Sequence, residues 1–395
     1  MKQFVRKNLE QLFKDSYNET ALLIEKLPAS GSYREYYRVR NENKTVIGVY
    51  NEDIKENLVF LSFANQFIKS GINVPKVYAV SSGNDFYLLE DLGDITLYGY
   101  LTETRESEGF SENIVSVYKN VLRELPKIQA VAGKEQDYAM CYPRAAFDKQ
   151  SMMWDLNYFK YFFLKLAKVP FDEQKLEDDF EVFTNYLLGA KSDYFLYRDF
   201  QSRNIMLKDD KPYFIDFQGG RKGALQYDLA SLLYDGKADI PQSVREELYN
   251  FYISELKKYE EVNEGEFKAY YKGFVLIRIM QAMGAYGFRG FYEKKEQFLK
   301  SIPFALNNLH FLLKDLGLPI KVPELNKVWN QIAKSEALRE IVPETKGLTI
   351  RITSFSYKNG IPQDPSSNGG GFVFDCRAIN NPGRLKEYKQ LTGSE

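Results

Sequence analysis

Between residues 193 and 235 the chain reads DYFLYRDFQSRNIMLKDDKPYFIDFQGGRKGALQYDLASLLYD, and no other stretch limits the fold as tightly. Two short apolar runs of β character, 194–196 and 213–215, each lead into an aspartate followed by phenylalanine. Asp199 is followed five residues later by Asn204, and Asp216 opens an Asp-Phe-Gln triplet. Aspartate and asparagine favour turns on their own account, which would explain one such pair. Turn preference does not explain D-x4-N, a second Asp-Phe at a strand end and YDLASLL opening a helix, all in one stretch.

This is the spacing of a kinase catalytic loop followed by a metal loop. One carboxylate accepts the proton of an attacking hydroxyl, the asparagine holds a Mg²⁺, and a second carboxylate bridges Mg²⁺ to the nucleotide phosphates. Phosphoryl transfer needs little covalent help, so catalysis is positioning plus electrostatics. A base and a metal-binding amide on one tight loop can flank the transferred group while a second strand brings the other carboxylate to the same metal. The expectation is ATP and Mg²⁺ as cofactors and Asp199, Asn204 and Asp216 as catalytic residues. Asn204 and Asp216 are the expected metal ligands.

With RDFQSRNIM, IDFQGGR and YDLASLL, the stretch resembles the aminoglycoside phosphotransferase and choline kinase superfamily, relatives of protein kinases that phosphorylate small molecules. Within it these versions look like those of bacterial anomeric kinases that convert N-acetylmuramate and N-acetylglucosamine to sugar 1-phosphates. The resemblance implies an α+β, two-lobed, protein-kinase-like fold. A small nucleotide-binding lobe would span 1–92, a large helical catalytic and substrate lobe 93–325, and a helical linker 326–347, before a C-terminal α/β module. Tyr197 stands where relatives often carry a histidine that supports loop packing. Gln218 replaces the glycine of protein kinases, which fits the small-molecule branch. An anomeric hydroxyl is more acidic than an ordinary alcohol, so a weakly basic aspartate would suffice.

Residues 1–27 read as a helix, with Phe4, Leu9, Leu12 and Phe13 near helical spacing. A turn at Ser30-Gly31-Ser32 precedes a hairpin of 33–40 and 45–50, and in a kinase-like lobe this turn covers the nucleotide phosphates with backbone N–H groups. Kinases place a lysine on the second strand of that hairpin. Here it reads TVIGVY, leaving Arg34 and Arg38 as equal candidates for the charge, since guanidinium forks suit phosphate oxygens. Residues 53–70 form an amphipathic helix closed by Gly71. Glu56 sits where the resemblance puts an ion-pairing glutamate. LLEDLGD looks like the hinge between lobes, where backbone groups of Leu89 and Glu90 would meet the adenine.

The large lobe opens helical and aromatic-rich, including MMWDLNYFKYFFLKL. That stripe reads first as core, but in relatives this region walls the substrate pocket, which singles out Trp154 and Asp155. Arg203 and Arg221, near the catalytic and metal loops, and Gln281, in a partly polar stretch with Arg278 and Tyr286, complete the expected substrate contacts. Asp228 near a helix start reads as a cap; the resemblance makes it a brace for the catalytic loop. Residues 326–341 look like a spacer after a Pro-punctuated boundary.

Composition narrows the class further. Lys plus Arg total 53 against 54 Asp plus Glu, so net charge argues neither for nor against nucleic acid. Two cysteines and the single His310 exclude a disulfide framework, a histidine-based metal cluster and a Ser-His-Asp triad. No run approaches the roughly 20 apolar residues of a membrane span, and the N-terminus lacks a signal-peptide core. The expectation is a cytoplasmic protein with no membrane partner.

Residues 348–395 change character. Two β runs flank a Pro/Gly/Ser-rich loop, and SFSYKNGIP, VFDCRAINNP and LTGSE resemble the opening of the C-terminal domain of the RapZ family of RNase adapters. That family's domain continues beyond the point where this chain stops, so the expectation is a partial module. It implies RNA or amino-sugar metabolites as ligands, although seven basic against four acidic residues from Lys346 onward are too few to establish nucleic-acid binding. Two other readings stand beside the sugar kinase. One is a catalytically silent kinase-fold regulator, supported by the missing strand lysine. The other is a kinase for another small alcohol, such as an aminoglycoside or choline.

Overall fold

The computed structural model describes residues 2–28 and 34–341, with six isolated positions further on (355, 358, 360, 373, 374 and 386). Ser30, Gly31 and Ser32 lie outside the described residues, as does the 348–395 module apart from those positions. The chain divides into two compact units, Met1–Pro343 and Glu344–Glu395, and every element below belongs to the first.

The small lobe begins with helix α1 (Gln3–Tyr17), followed by strands β1 (Leu23–Lys26), β2 (Glu35–Arg40) and β3 (Thr45–Tyr50), helix α2 (Ile54–Lys69), and strands β4 (Val77–Val80) and β5 (Phe86–Glu90). The strands make one antiparallel sheet in the order β1-β2-β3-β5-β4. Side chains alternate across it. Tyr37, Val39, Val46 and Leu88 face Val5, Leu9 and Phe13 of α1, whereas Val49, Tyr87 and Leu89 join the core formed with Phe60, Phe63 and Phe67 of α2. The glycine within TVIGVY is a steric requirement of that packing. A Cβ on Gly48 would stand 2.8 Å from Leu9 Cδ2.

The helix expected over 1–27 is shorter. It stops at Tyr17, where Asn18 turns left-handed (φ 53°), and 23–26 pair with β2 as an edge strand, Leu23 opposite Arg40. That strand is mostly exposed, so no apolar alternation marks it in the sequence.

The large lobe contains α3 (Leu97–Glu108), α4 (Glu112–Pro126), α5 (Lys149–Phe159) and α6 (Glu173–Leu187), then strands β6 (Tyr194–Leu196), β7 (Ile205–Lys208), β8 (Lys211–Phe214) and β9 (Arg221–Gly223). It closes with α7 (Gln226–Leu233), α8 (Gln242–Leu256), α9 (Glu264–Gly287), α10 (Glu296–Leu299), α11 (Ile302–Leu313) and α12 (Pro323–Ala333). β6 pairs with β9 and β7 with β8, so the two β runs of the motif stretch belong to separate ribbons. Helix α9 is buried along 273–280 and forms the lobe's centre.

The segment read as a spacer is core. Leu325, Val328, Trp329 and Ile332 of α12 are fully buried, a helical stripe facing α6 and α11; Trp329 meets Phe183 edge-on at 5.9 Å, and Leu325 N–H donates to Asp179 at 2.7 Å. Among the described residues no helix is long and apolar enough to cross a membrane.

Candidate active site

The catalytic loop leaves β6 under constraint. Arg198 has φ 82° and Asp216 φ 67°, left-handed conformations that cost a non-glycine residue energy and persist only when the surroundings fix them. Asp228, wholly buried in α7, supplies the fixing. Its carboxylate accepts the backbone N–H of Tyr197 at 2.8 Å and of Arg198 at 3.1 Å, and the side-chain amide of Gln129 at 3.0 Å. Tyr252 holds Gln129 in turn, its hydroxyl donating at 2.7 Å. Burial pushes the Asp228 carboxyl up to about 7 against the lowering effect of these bonds. The Tyr197 hydroxyl donates to the Ile215 carbonyl at 2.6 Å, tying the catalytic loop to the metal loop.

Within this frame Asp199, Asn204 and Asp216 converge. Asn204 Nδ2 donates to the Asp199 carbonyl at 2.9 Å and to Asp216 Oδ2 at 3.1 Å. Gln218 Nε2 donates to the other Asp216 oxygen at 2.7 Å. The Asp199 carboxylate is part-exposed and takes no hydrogen bond among the described residues, which leaves it open to an acceptor hydroxyl. Burial, then the charge of Asp199, pushes the Asp216 carboxyl above its ordinary value. A buried carboxylate with another beside it lacks positive charge. With Asn204 Oδ1 also unbonded among the described residues, the oxygen donors fit a hard divalent cation sharing the nucleotide phosphates.

Across the cleft, Arg34 is almost fully buried and pairs with Glu56 of α2 at 3.2 Å; Glu56 also accepts from Asn51 at 2.9 Å. Arg34 is close enough to Asp216 to oppose its upward shift. Arg38, the other candidate for the phosphates, turns the opposite way. Its guanidinium binds Asp91 at 2.7 and 3.1 Å and Asp94 at 2.9 and 3.1 Å, stapling the sheet to the hinge. At the hinge, the Glu90 N–H donates to the Lys76 carbonyl at 2.8 Å and its carboxylate pairs with Lys208 at 2.7 Å. Leu89 lies within the ladder, opposite Ile47 and Val77. The Glu90 donor is therefore already used inside the sheet. Phe60 of α2 stacks on Phe217 at 4.9 Å with planes 6° apart, and Phe67 meets the same ring edge-on.

The expected substrate residues scatter. Asp155 is 6% exposed, and both its oxygens are taken by Arg198, at 2.6 and 2.7 Å; it holds the residue beside Asp199 rather than offering a free carboxylate. Trp154 faces out, 47% exposed, under the Arg144 guanidinium at 5.7 Å. Arg203 is exposed on the turn before Asn204 and holds Gln201 at 3.0 Å. Gln281 accepts from Arg278, which also donates to Ser231 at 2.9 Å. Arg221 lines a cavity of about 540 Å³ with Gln218 and Glu56. Sequence reasoning missed Arg198, Gln129 and Asp235, which accepts the Ser202 hydroxyl at 2.5 Å and its N–H at 3.2 Å. No local pattern marks them, because their partners are distant in sequence.

An unbonded carboxylate on a braced loop, a second carboxylate and an amide beside it, and a guanidinium–carboxylate pair opposite are the arrangement a phosphotransferase site needs. Residues 27–263, more than half of the chain, match the model of the phosphotransferase enzyme family, and the chain belongs to that family. It is an ATP-dependent small-molecule kinase. The N-acetylmuramate/N-acetylglucosamine kinase of Neisseria meningitidis serogroup B is 23% identical over 290 residues, 71% of this chain and 83% of that one. The kinase of the same name from Pseudomonas aeruginosa is 25% identical over 225 residues, 55% and 62% of the respective chains. Among solved structures, the choline kinase from Cryptosporidium parvum Iowa II has a TM-score of 0.55 at 12% identity, covering 82% of this chain and 99% of its own. An amicoumacin kinase in complex with AMP-PNP, Ca²⁺ and Ami has a TM-score of 0.57 at 13% identity, covering 82% and 97%. These two share the fold. Residues 348–395 match the RapZ C-terminal domain.

Proposed function

We propose that this kinase transfers the γ-phosphoryl group of Mg²⁺-bound ATP to the anomeric hydroxyl of an N-acetylated amino sugar, N-acetylmuramate or N-acetylglucosamine. The observation that carries the reading is the unbonded Asp199 carboxylate beside the Asn204–Asp216 pair. The names of the two curated relatives support the sugar.

Asp199 would orient the C1 hydroxyl and take its proton as the oxygen attacks the γ-phosphorus. The bond from that phosphorus to the β–γ bridging oxygen breaks, and ADP leaves with the electron pair. Asn204 and Asp216 would hold the cation, whose contribution is to neutralise charge on the phosphate oxygens. Arg34, fixed by Glu56, stands in for the lysine absent from β3 and would meet the phosphates. That pair removes the main support for a silent regulator. A phosphoryl donor of this kind belongs to the cytoplasm, and for residues 348–395 the ligands proposed are RNA or an amino-sugar metabolite.

The test is ³¹P NMR of the protein with Mg·ATP and each sugar, alongside Asp199→Asn. The expected product is a proton-coupled sugar 1-phosphate doublet that the variant does not form. ATP binding with no phosphorylation of either sugar would refute the reading.

A further inference from the structure

Beside the catalytic loops lies a cavity of about 540 Å³, bounded by the start of α2, by Tyr142 and Pro143, and by the turn from Gln218 to Arg221. One wall is shared with the active site. Gln218 holds Asp216, and Glu56 belongs to the Arg34 pair.

The charges lining it are not equivalent. Glu52 accepts the Tyr50 hydroxyl at 2.7 Å, Asp53 caps α2 through the Glu56 N–H at 3.1 Å, and Glu56 is ion-paired. Glu52 and Asp53 stand at the exposed rim. Arg221 is 8% exposed. Its Nε donates to the Gly219 carbonyl at 3.1 Å, and its two Nη groups have no hydrogen-bond partner among the described residues. No carboxylate pairs with it there. Asp155, whose charge it feels, has both oxygens committed to Arg198. Burial and the neighbouring Arg198 charge push the Arg221 guanidinium below its ordinary value. A buried guanidinium without a counter-ion is costly, and an anion entering the cavity would relieve that cost with charge-assisted bonds. One guanidinium behind a rim of acids suits a ligand with a single carboxylate and hydroxyl or amide donors, and disfavours a polyanion.

We propose that this cavity is a carboxylate subsite for the acceptor, in which Arg221 pairs with the acid group of an acidic amino sugar. N-Acetylmuramate, which carries a lactyl carboxylate, is then preferred to N-acetylglucosamine, which lacks it. This specificity rests on the sugar-kinase reading above.

The experiment compares kcat/KM for the two sugars in the wild-type protein, Arg221→Lys and Arg221→Met, and adds the lactyl carboxamide of the acidic sugar as a wild-type substrate. The wild type should favour the acid at least tenfold, and the carboxamide should fall to the level of the neutral sugar. The acid-to-neutral ratio should drop tenfold or more in Arg221→Met and take an intermediate value in Arg221→Lys. A wild-type ratio near one, a ratio unchanged in the methionine variant, or a carboxamide as good as the acid each overturns the subsite. Should the methionine variant not fold, the carboxamide comparison decides alone. Phosphorylation of both sugars without discrimination sinks only this inference; phosphorylation of neither sinks the amino-sugar reading beneath it.

Discussion

Asp155 and Arg198 meet through two hydrogen-bonded contacts, 2.6 and 2.7 Å, next to the candidate base Asp199. The Tyr227 hydroxyl lies 2.7 Å from the same guanidinium. Asp155→Asn removes the charge but keeps the shape, leaving the part-buried Arg198 without its counter-charge. Breaking one side of a buried pair costs about 3–5 kcal/mol; this pair is only partly buried, so the loss should be smaller but still lower the melting temperature. The turnover number should fall at least tenfold with a smaller change in KM for ATP, because the loop bearing Asp199 is displaced. A variant with wild-type kcat would show that the pair does not position the base.

Arg34 gives a prediction on the nucleotide side. Losing a charge-assisted bond costs about 1.5–3 kcal/mol, so Arg34→Met should raise KM for ATP roughly tenfold or more, and Arg34→Lys should recover part of the loss. Arg38→Met, which cuts the staple to Asp91 and Asp94, should act mainly on thermal stability. Steady-state kinetics with ATP varied, beside melting curves, separates the two arginines. Equal effects on KM would count against the assignment.

Asp228 makes stability depend on pH. Its carboxyl is pushed up to about 7 in the folded protein by burial, against about 3.9 in an unfolded chain. Between these values the folded state holds a proton that the unfolded state has released, so stability falls as pH rises from about 4 to about 7 and then levels. The contribution is on the order of a few kcal/mol. Denaturant unfolding at several pH values should show this slope in the wild type and its loss in Asp228→Asn. Parallel profiles for the two proteins would refute it.

The unit Met1–Pro343 contains Asp199, Asn204, Asp216, Arg34 and Glu56 together with its own core. A chain ending after Pro343 should therefore fold and keep its ATP turnover within about twofold. Circular dichroism and a coupled ADP assay check both, and a loss of turnover with intact folding would assign a catalytic contribution to the remaining residues.

What could be read from the sequence follows the range of the interactions. Asp199, Asn204 and Asp216 were legible because a tight loop and a strand end fix their spacing along the chain. Arg34 and Arg38 were not separable, since both lie on one face of a β-type run and only the packed sheet decides which end meets α2 and which the hinge. Trp154 and Asp155 could not share one pocket, because adjacent residues on a helix point about 100° apart; one faces out and the other reaches Arg198. The α12 stripe was present at 325, 328, 329 and 332, but the prolines at 319 and 323 obscured it. Strand β1 lies in the unalternating run ALLIEKL, which reads as readily as the end of a helix, and its pairing with β2 defines it.

The stack of Phe60 on Phe217 has a consequence for control. In protein kinases, movement of the helix carrying the ion-pairing glutamate and phosphorylation of a loop near the catalytic arginine set activity. Here that helix is held ring to ring against the residue following Asp216, and Arg198 is already paired with the carboxylate of Asp155. Among the described residues these contacts hold the helix and the loop together without any added group. A group added at either place would have to displace an existing contact rather than fill a vacancy.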